Sequence, residues 1–445
     1  MASQTPITSK STEAAFVSKL EVKSNKDESK TVSLTGGFVE LLYYESILQD
    51  TIRADVVFTD TGKAIDDKSV MEGLPLVGTE EVDIKFADVN EEEISVKLYV
   101  NKVTPAYEDS EKSLISIGLV SEEFITNELG QSKLNIRFDG KISEHIKDIL
   151  KNFLKSEKVK DEDIEDTVNN YNFVGNGRKP FYTLNWLSKS AVPSKDGKKG
   201  DTSGFFLYET ADGFKFKSID ALFAQEKKKS FIYNDSPDKD GSVPAGYDGK
   251  ILEYKADNRV NIQEKFQMGT YGTKLVVFDP FNCFYEVIEK TAEEAKEGTE
   301  LAGQDLPKLN DKFDTTDEKN ATRTTFYLID KGTLPTGDSK EQIDKSEEQN
   351  FEAQQVLNQG IRRYNQLFSG AVTATIGGDF SLHAGDAIFV DSPGLATDDD
   401  EELNREFGGL YIIADLCHYI SSKETYTKMN LVRDSFGRKG NHTTR

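Results

Sequence analysis

From Gly408 to Gly437 apolar and polar residues alternate. Leu410, Ile412, Ala414, Leu416 and Ile420 fall on one face of a first run. After the polar turn Ser421-Ser422-Lys423-Glu424, Thr427, Met429 and Leu431 share one face and Lys428 and Asn430 the other. Period two on both sides of a turn predicts a β-hairpin. A lone hairpin is marginal in water, so this one is expected to complete a sheet begun elsewhere. The same alternation fills residues 1–124. Ile52, Ala54, Val56 and Phe58 oppose Arg53, Asp55 and Thr59, and VDIKF (Val82–Phe86), ISVKLYVNKV (Ile94–Val103) and KSLISIGLV (Lys112–Val120) follow. Short strands separated by turns predict an antiparallel barrel or sandwich.

Between residues 125 and 230 the period changes. Ile142, Ile146, Ile149/Leu150 and Phe153/Leu154 recur at helical intervals, and Pro180–Ala191, with Trp186, predicts a second helix. GFFLYETADGFKFKSI (Gly204–Ile219) reads as a hairpin turning at Asp212-Gly213. Together these predict a small α/β module. Over residues 231–290 β character is expected to return, through NIQEKFQMG and GTKLVVFDPFNCFYEVIEK, as the first part of a second barrel region. Residues 291–350 are rich in Asp, Glu and Lys with little apolar period outside TTFYLID (Thr324–Asp330), and read as a solvated, inserted excursion. Ser346-Glu347-Glu348-Gln349 fits a capping box, opening a helix striped by Ala353, Val356/Leu357, Ile361, Tyr364 and Leu367/Phe368. Residues 351–437 carry that helix and the closing strands, and 438–445 form a polar tail.

The chain also repeats itself. LVSEEF (Leu119–Phe124) and LVRDSF (Leu431–Phe436) each end a hairpin of similar length. Ahead of the two hairpins, LVGTEEVDIKF near Gly78 matches HAGDAIFV near Gly385. Residue identities are few, but the features keep their order, which predicts two related β-barrels with long insertions in the second.

Composition narrows the function. A chain of 445 residues has room for about three domains at roughly 150 residues each. A hydrophobic fraction of 36% supports real cores although 30% of residues are charged. The net charge of −23 argues against binding the outside of a DNA duplex or an anionic membrane surface, since both need Lys and Arg. Two cysteines, Cys283 and Cys417, are too few for a disulfide scaffold and are expected to be reduced and buried. MASQTPITSKSTEAAF lacks the apolar core of a signal peptide. No stretch reaches the ~20 apolar residues of a membrane helix. A soluble chain made in a cytosol is expected.

No catalytic, cofactor or metal residues are assigned. His145, His383, His418 and His442 are not spaced as ligands, and no HExxH or CxxC motif occurs. His145 is placed on the polar side of its helix. Asp238, Asp240 and Gly241 resemble half a calcium loop, but Ser236 stands at its first position and Tyr247 where the closing Glu belongs. Gly175–Gly177 and Gly197–Gly204 lack the lysine and the strand-turn-helix frame of a phosphate loop. No GxSxG elbow is present. The acidic loop Asp398–Glu402 reads as solvated. With 78 acidic residues, accidental carboxylate pairs are certain.

GFVELLYYESILQDTIRADVVFTDTG, the module with TLNWLSKSA and GFFLYETADGFKFKSIDALF, YGTKLVVFDPFNCFYE, LHAGDAIFVDSPG, LYIIADLCHYI and NLVRDSFG lie over residues 30–437 in that order. The arrangement resembles the central baseplate hub proteins of contractile-tailed phages of the T-even type. The resemblance implies a mainly β fold of two tail-tube-type barrels plus the α/β module. It implies a homotrimer whose six barrels join a threefold central spike to the sixfold tail tube or its initiator. Tape-measure and baseplate wedge proteins are further implied partners. The setting would be the virion tail baseplate, assembled in the host cytoplasm. DNA would meet the protein only in transit through the lumen, where an excess of carboxylates would repel phosphates. The role is structural, without catalysis or cofactor. A tail-associated peptidoglycan hydrolase, with a carboxylate pair in a cleft, is the alternative. A glycan-binding module would need exposed aromatics such as Tyr43, Tyr44, Phe205 and Phe206.

Overall fold

The computed structural model describes residues 14–439 except 28, 63–67, 109–111, 196–197, 200–201, 234–242, 245, 257–261, 270–271, 280–283, 292–298, 307–309, 314–322, 329–336, 343, 345–352 and 393–406. The half calcium loop, the capping box, the acidic loop at 398–402, Cys283 and His442 lie outside these residues, as does part of Gly197–Gly204.

The first repeat holds β1 (Phe16–Lys23), β2 (Thr31–Ser33), β3 (Phe38–Ser46), β4 (Arg53–Asp60), β5 (Glu81–Ala87), β6 (Glu93–Glu108) and β7 (Ser113–Val120), with the one-turn helix α1 (Val70–Gly73). Neighbours run β3-β4-β7-β6-β5-β1-β2. Alternation does its expected work: Ala54, Val56 and Phe58 are buried with Ile84, Leu98 and Ile117 in one core, while Arg53 and Asp55 are exposed.

The module follows. It comprises α2 (Glu122–Thr126), β8 (Arg137–Phe138), α3 (Ile142–Asp148) running into a π-turn at Ile149–Phe153, β9 (Val159–Ile164), β10 (Phe173–Val174), α4 (Pro180–Ser188), β11 (Ser194–Lys195), β12 (Lys198–Lys199), β13 (Phe205–Thr210), β14 (Gly213–Ser218) and α5 (Ile219–Ala224). The predicted helical stripe packs, with Ile142, Ile146, Ile149, Leu150 and Leu154 buried against Leu184, Phe205 and Phe216. The β13–β14 register pairs Thr210 with Gly213, so the turn residues are Ala211-Asp212, one position earlier than expected. Gly213 (φ +124°) is needed on both counts, because a Cβ there would lie 2.3 Å from the Lys158 carbonyl oxygen.

The second repeat is assembled from distant pieces: β15 (Lys229–Ile232), β16 (Gly249–Lys250), β17 (Glu253–Ala256), then β21 (Gly370–Gly377), β22 (Ala387–Asp391), β23 (Gly409–Ser421) and β24 (Thr425–Arg433). Between them lie α6 (Ile262–Met268), β18 (Gly272–Asp279), β19 (Phe284–Thr291), β20 (Arg323–Leu328) and α7 (Ala353–Gln366). Here the structure departs from the sequence reading of residues 231–290. NIQEKFQMG holds a helix, its Gln, Glu, Lys and Met being good helix formers. Strands β18 and β19 join β20 in a separate three-stranded sheet, outside the barrel sheet. Within the excursion read as solvated, Leu301 and Ala302 are buried, and the Ala302 and Gly303 amides donate to Asp434 Oδ1 and Ser435 Oγ.

Five strands repeat in identical chain order, neighbour order and direction: β3-β4-β7-β6-β5 against β17-β21-β24-β23-β22, antiparallel throughout. The hairpins carry a bulge at the same place. The register slips between Val100 and Lys102 opposite Leu119 and Gly118, and between Ile413 and Asp415 opposite Leu431 and Asn430. Even the turn before each hairpin recurs. The Val77 amide donates to the Glu80 carboxylate at 2.8 Å, and the His383 amide to that of Asp386 at 2.8 Å. Thr79 (φ 67°) and Gly385 (φ 87°) hold the equivalent left-handed position, so the match runs one residue from the Gly78–Gly385 pairing expected. Outside the five strands the copies diverge: β1 runs antiparallel to β5, β15 parallel to β22.

The bulge corrects another expectation. Leu410 to Ile420 do not share one face. Tyr411, Ile413 and Leu416 enter the second barrel's core, whereas Ile412 and Ala414 pack with Phe206, Tyr208 and Leu222 beneath the module. One extra residue shifts the phase of a period-two pattern.

Candidate assembly interface

The two repeats are joined through one strand. The early part of β23 pairs with β22, Ala387 opposite Ile412, and its later part pairs with β3, from Asp415 opposite Ser46 to Ser421 opposite Glu40. β24 lies along its other edge. The barrels thus share one continuous sheet, with the core of each repeat on the same side of it. The opposite face is polar. Across β3, β23, β24 and β21 a hydrogen-bonded row runs from Ser46 Oγ to Asp415 (2.6 Å), from Asn430 Nδ2 to Asp415 (3.1 Å) and from Thr373 Oγ1 to Asn430 (3.2 Å). An open groove of about 640 Å3 crosses this seam, lined by Tyr44, Arg53, Asp55, Lys102, Asp415 and Lys428 among others. Both signs of charge are present in it. Cys417 faces it, half-buried, and burial pushes its thiol up to about 11. The structure brings no catalytic set together here.

Behind the seam, one carboxylate ties three parts of the chain. Glu45, buried at the end of β3, accepts from Tyr43 Oη (2.9 Å), the Ala211 amide of the module turn (2.8 Å), the Ala384 amide of the second repeat (3.0 Å) and His383 Nδ1 (3.1 Å). Asp212 reaches His383 Nε2 from the other side at 3.8 Å. Burial alone would raise the Glu45 carboxyl, but the imidazole and the two amides hold it below its ordinary value. For His383, burial is the largest influence and works downward, but the charge of Glu45 and its hydrogen bond together outweigh it, so protonation is favoured. The signs set a window. The His383 contribution is complete below the ordinary histidine pKa and is lost as pH rises through its raised folded value. The Glu45 contribution is complete above the ordinary glutamate pKa and is lost as pH falls through its lowered one. We therefore expect His383→Asn to lower the melting temperature most between about pH 4.5 and 6.5, where both contributions are complete. The difference from wild type should shrink above that range; a difference that grows steadily to pH 9 would contradict the assignment.

The other two described histidines, His145 and His418, are packing residues. His145 is not on a polar face: it is buried between Phe138 and Phe173, with Nε2 2.8 Å from the Tyr171 carbonyl oxygen. His418 is fully buried and stacked on Tyr43, and burial lowers it to about 4, so it stays neutral. Tyr43, Phe205 and Phe206 are core residues, which removes them as a glycan platform. Gly175–Gly177 form a turn in which a Cβ at Gly175 would strike Leu134, so no anion cradle opens there. Close carboxylate pairs do occur: Asp220 and Asp434 share Arg363, and Glu123 and Glu209 both grip Lys158, at 3.1 and 2.7 Å. Burial raises Glu209 to about 7 even with Lys158 opposing the shift. Glu123 and Glu209 are both buried, and through Lys158 they tie α2 to β13 within the module. Among the described residues no group of three or more His, Cys, Asp or Glu side chains could hold a metal ion. No described helix is long and apolar enough to cross a membrane.

Sequence reasoning found the closing hairpin but not Glu45 or His383 as a joint. A lone Glu in a strand and a lone His in a turn carry no local signal of their meeting, 338 positions apart.

No protein-family model matches the chain, and no curated protein matches it. Among solved structures, the 43 kDa tail protein of prophage MuSo2 from Shewanella oneidensis superposes with a TM-score of 0.52 at 12% identity, covering 94% of this chain and 98% of that one. A tail protein from Neisseria meningitidis gives 0.48 at 9% identity, covering 94% and 96%. An Escherichia coli type VI secretion component, described as similar to T4 tail proteins gp27 and gp5, gives 0.43 at 9% identity, covering 96% and 80%. At such identities the likeness is one of fold. Over nearly its whole length, this mainly β chain has the fold of a phage tail protein.

Proposed function

We propose that this chain is a structural subunit of a phage tail baseplate, a hub whose three copies form a ring of six equivalent barrels between a threefold spike and the sixfold tube. The observation that carries the reading is the doubled five-strand unit, fused edge to edge by β23 and β3 into one sheet. A threefold assembly of such a chain presents six like units, which is the geometric requirement of an adaptor between the two symmetries. The likeness in fold to a tail protein supports it. The uncovered polar face of the seam would then line the bore. Its mixture of Asp55 and Asp415 with Arg53, Lys102 and Lys428 presents no continuous basic track on which phosphates would lodge.

The reading is of a protein that works by geometry and not by catalysis. A glycosidase needs its two carboxylates to flank a cleft that admits the sugar. Glu123 and Glu209 are closed over by Lys158, Ser156 Oγ and the Ile52 amide.

Light scattering of the chain, alone or bound to its spike, is expected to give three copies, and electron microscopy a threefold ring with a six-lobed inner wall. One or two copies in the spike complex would overturn the proposal.

A further inference from the structure

We propose that the outer face of the β19-β18-β20 sheet, carrying Phe278, Tyr285 and Phe326, docks on the Tyr182–Arg178–Trp186 surface of the module in a second copy of this chain. The inference rests on the ring reading and adds the joint that closes it.

Register fixes which side chains share that outer face. Val276 lies opposite Val287 on one side and Phe326 on the other, and Phe278 lies opposite Tyr285. Directly opposed residues project from the same face of a sheet. The alternate residues Leu275, Val277 and Ile288 project the other way and are buried with Ile361 of α7 packed against them. One face is therefore a core. The other leaves Phe326 78% and Tyr285 68% exposed, with Phe278 and Val287 exposed beside them. Three aromatic rings exposed to this degree present on the order of 400 Å2 of apolar surface, the scale of a patch that marks a contact.

The layers behind the sheet lead to the second surface. α7 turns Ile361 to the sheet and Tyr364 to the module, where the Phe205 amide donates to Tyr364 Oη at 2.7 Å. β13 presents Phe206 to Tyr364 on one side, and Phe205 and Leu207 to the core shared with Leu184 and Leu187 of α4 on the other. Phe181, Leu184 and Leu187 point α4 into that core, and the turn of the helix sets Tyr182 and Trp186 on its far side. Tyr182 is 62% exposed. The Arg178 guanidinium lies over both rings, 5.8 Å from the centre of Tyr182 and 5.1 Å from that of Trp186. Sheet, α7, β13 and α4 thus form one stack of layers with an aromatic surface at each end.

The unlike ends suit each other. Module end on module end would bring Arg178 against its own like charge, whereas the sheet end offers that guanidinium the faces of Phe and Tyr rings. Sheet end on sheet end would stop at two copies. Tyr, Trp and Arg are the residues that carry most of the energy in contacts between proteins. Contact of unlike ends is head to tail, which closes into a ring or runs on as a filament. It continues the stack from one copy into the next, so that modules and inserted sheets alternate around the ring.

Phe326→Glu and Tyr182→Glu each place a carboxylate in the contact at a position exposed in the single chain, so both variants are expected to keep the wild-type melting transition. Should either melt early, Phe326→Ser and Tyr182→Ser form the pair that adds no charge. Light scattering is made under the condition, spike free or spike bound, in which wild type is a trimer. Each variant alone is expected to weaken assembly about 30-fold per joint and to scatter as a monomer. Mixed, the two variants retain one good end each and should form 1:1 dimers and nothing larger. Trimers from either variant alone, or a mixture that stays monomeric, would overturn this joint and leave the ring reading standing. Wild-type assemblies running past three copies that both variants dissolve would uphold the joint and overturn the closed ring. A single wild-type copy on the spike would overturn both.

Discussion

A chain lacking Glu424–Arg445 is expected to lose cooperative folding altogether. The deletion removes β24, which lies in the middle of the second barrel with β21 on one side and β23 on the other. Met429, Leu431 and Val432 leave with it, each buried to 2% exposure or less. At about 1.5–3 kcal/mol for each fully buried apolar side chain, these alone rival the ~5–15 kcal/mol net stability of a domain. Two long rows of backbone hydrogen bonds go unpaired at the same time. Arg433, Asp434 and Ser435, which knit α7 and the 300–303 stretch to the barrel, are also lost. Soluble expression and a thermal scan followed by circular dichroism test this. The idea fails if the truncated chain melts cooperatively at the full-length temperature. The contrasting control is Lys423→Ala in the exposed turn, expected to stay within about 0.5 kcal/mol of wild type.

Glu45→Ala is the single substitution with the largest expected effect. It strips one acceptor from four donors at a point where both repeats and the module meet. Leaving buried N–H groups and a charged imidazole without a partner costs on the order of 3–5 kcal/mol. Glu45→Gln keeps an acceptor of nearly the same shape and is expected to cost less than half as much. Hydrogen exchange separates this from a general loss of packing. The Ala211 and Ala384 amides should lose protection in the Ala variant and keep most of it in the Gln variant. Equal deprotection in both variants, or none in either, would show that the carboxylate is not the tie.

The pattern along the chain was legible wherever the structure is locally regular. Strands β4, β5, β6, β7 and β24 follow from alternation alone, because each has one face on a core and one on solvent. The helix at Ile142 follows from its stripe, and the one read over Pro180–Ala191 is present as Pro180–Ser188. Misreadings came where two faces are both buried or a segment is short. The first half of β23 is apolar on both faces because the module covers what would otherwise be its outer side. The Ile262–Met268 helix is too short for its period to outweigh the strand-like residues around it.

By itself the sequence determined that this is a largely β protein with an α/β insertion, that a hairpin closes it, and that a hairpin with similar flanks occurs twice. These follow from side-chain periodicity, which is local. What only the tertiary structure decided is that the two hairpins sit in five-strand units of the same strand order with matching bulges, although few residues are shared, because a bulge and a strand order are backbone properties that many side chains satisfy. It also decided that the units share one sheet, and that one buried glutamate, Glu45, meets both of them and the module. Edge pairing is made by backbone groups that every residue carries, so no pattern of side chains announces it.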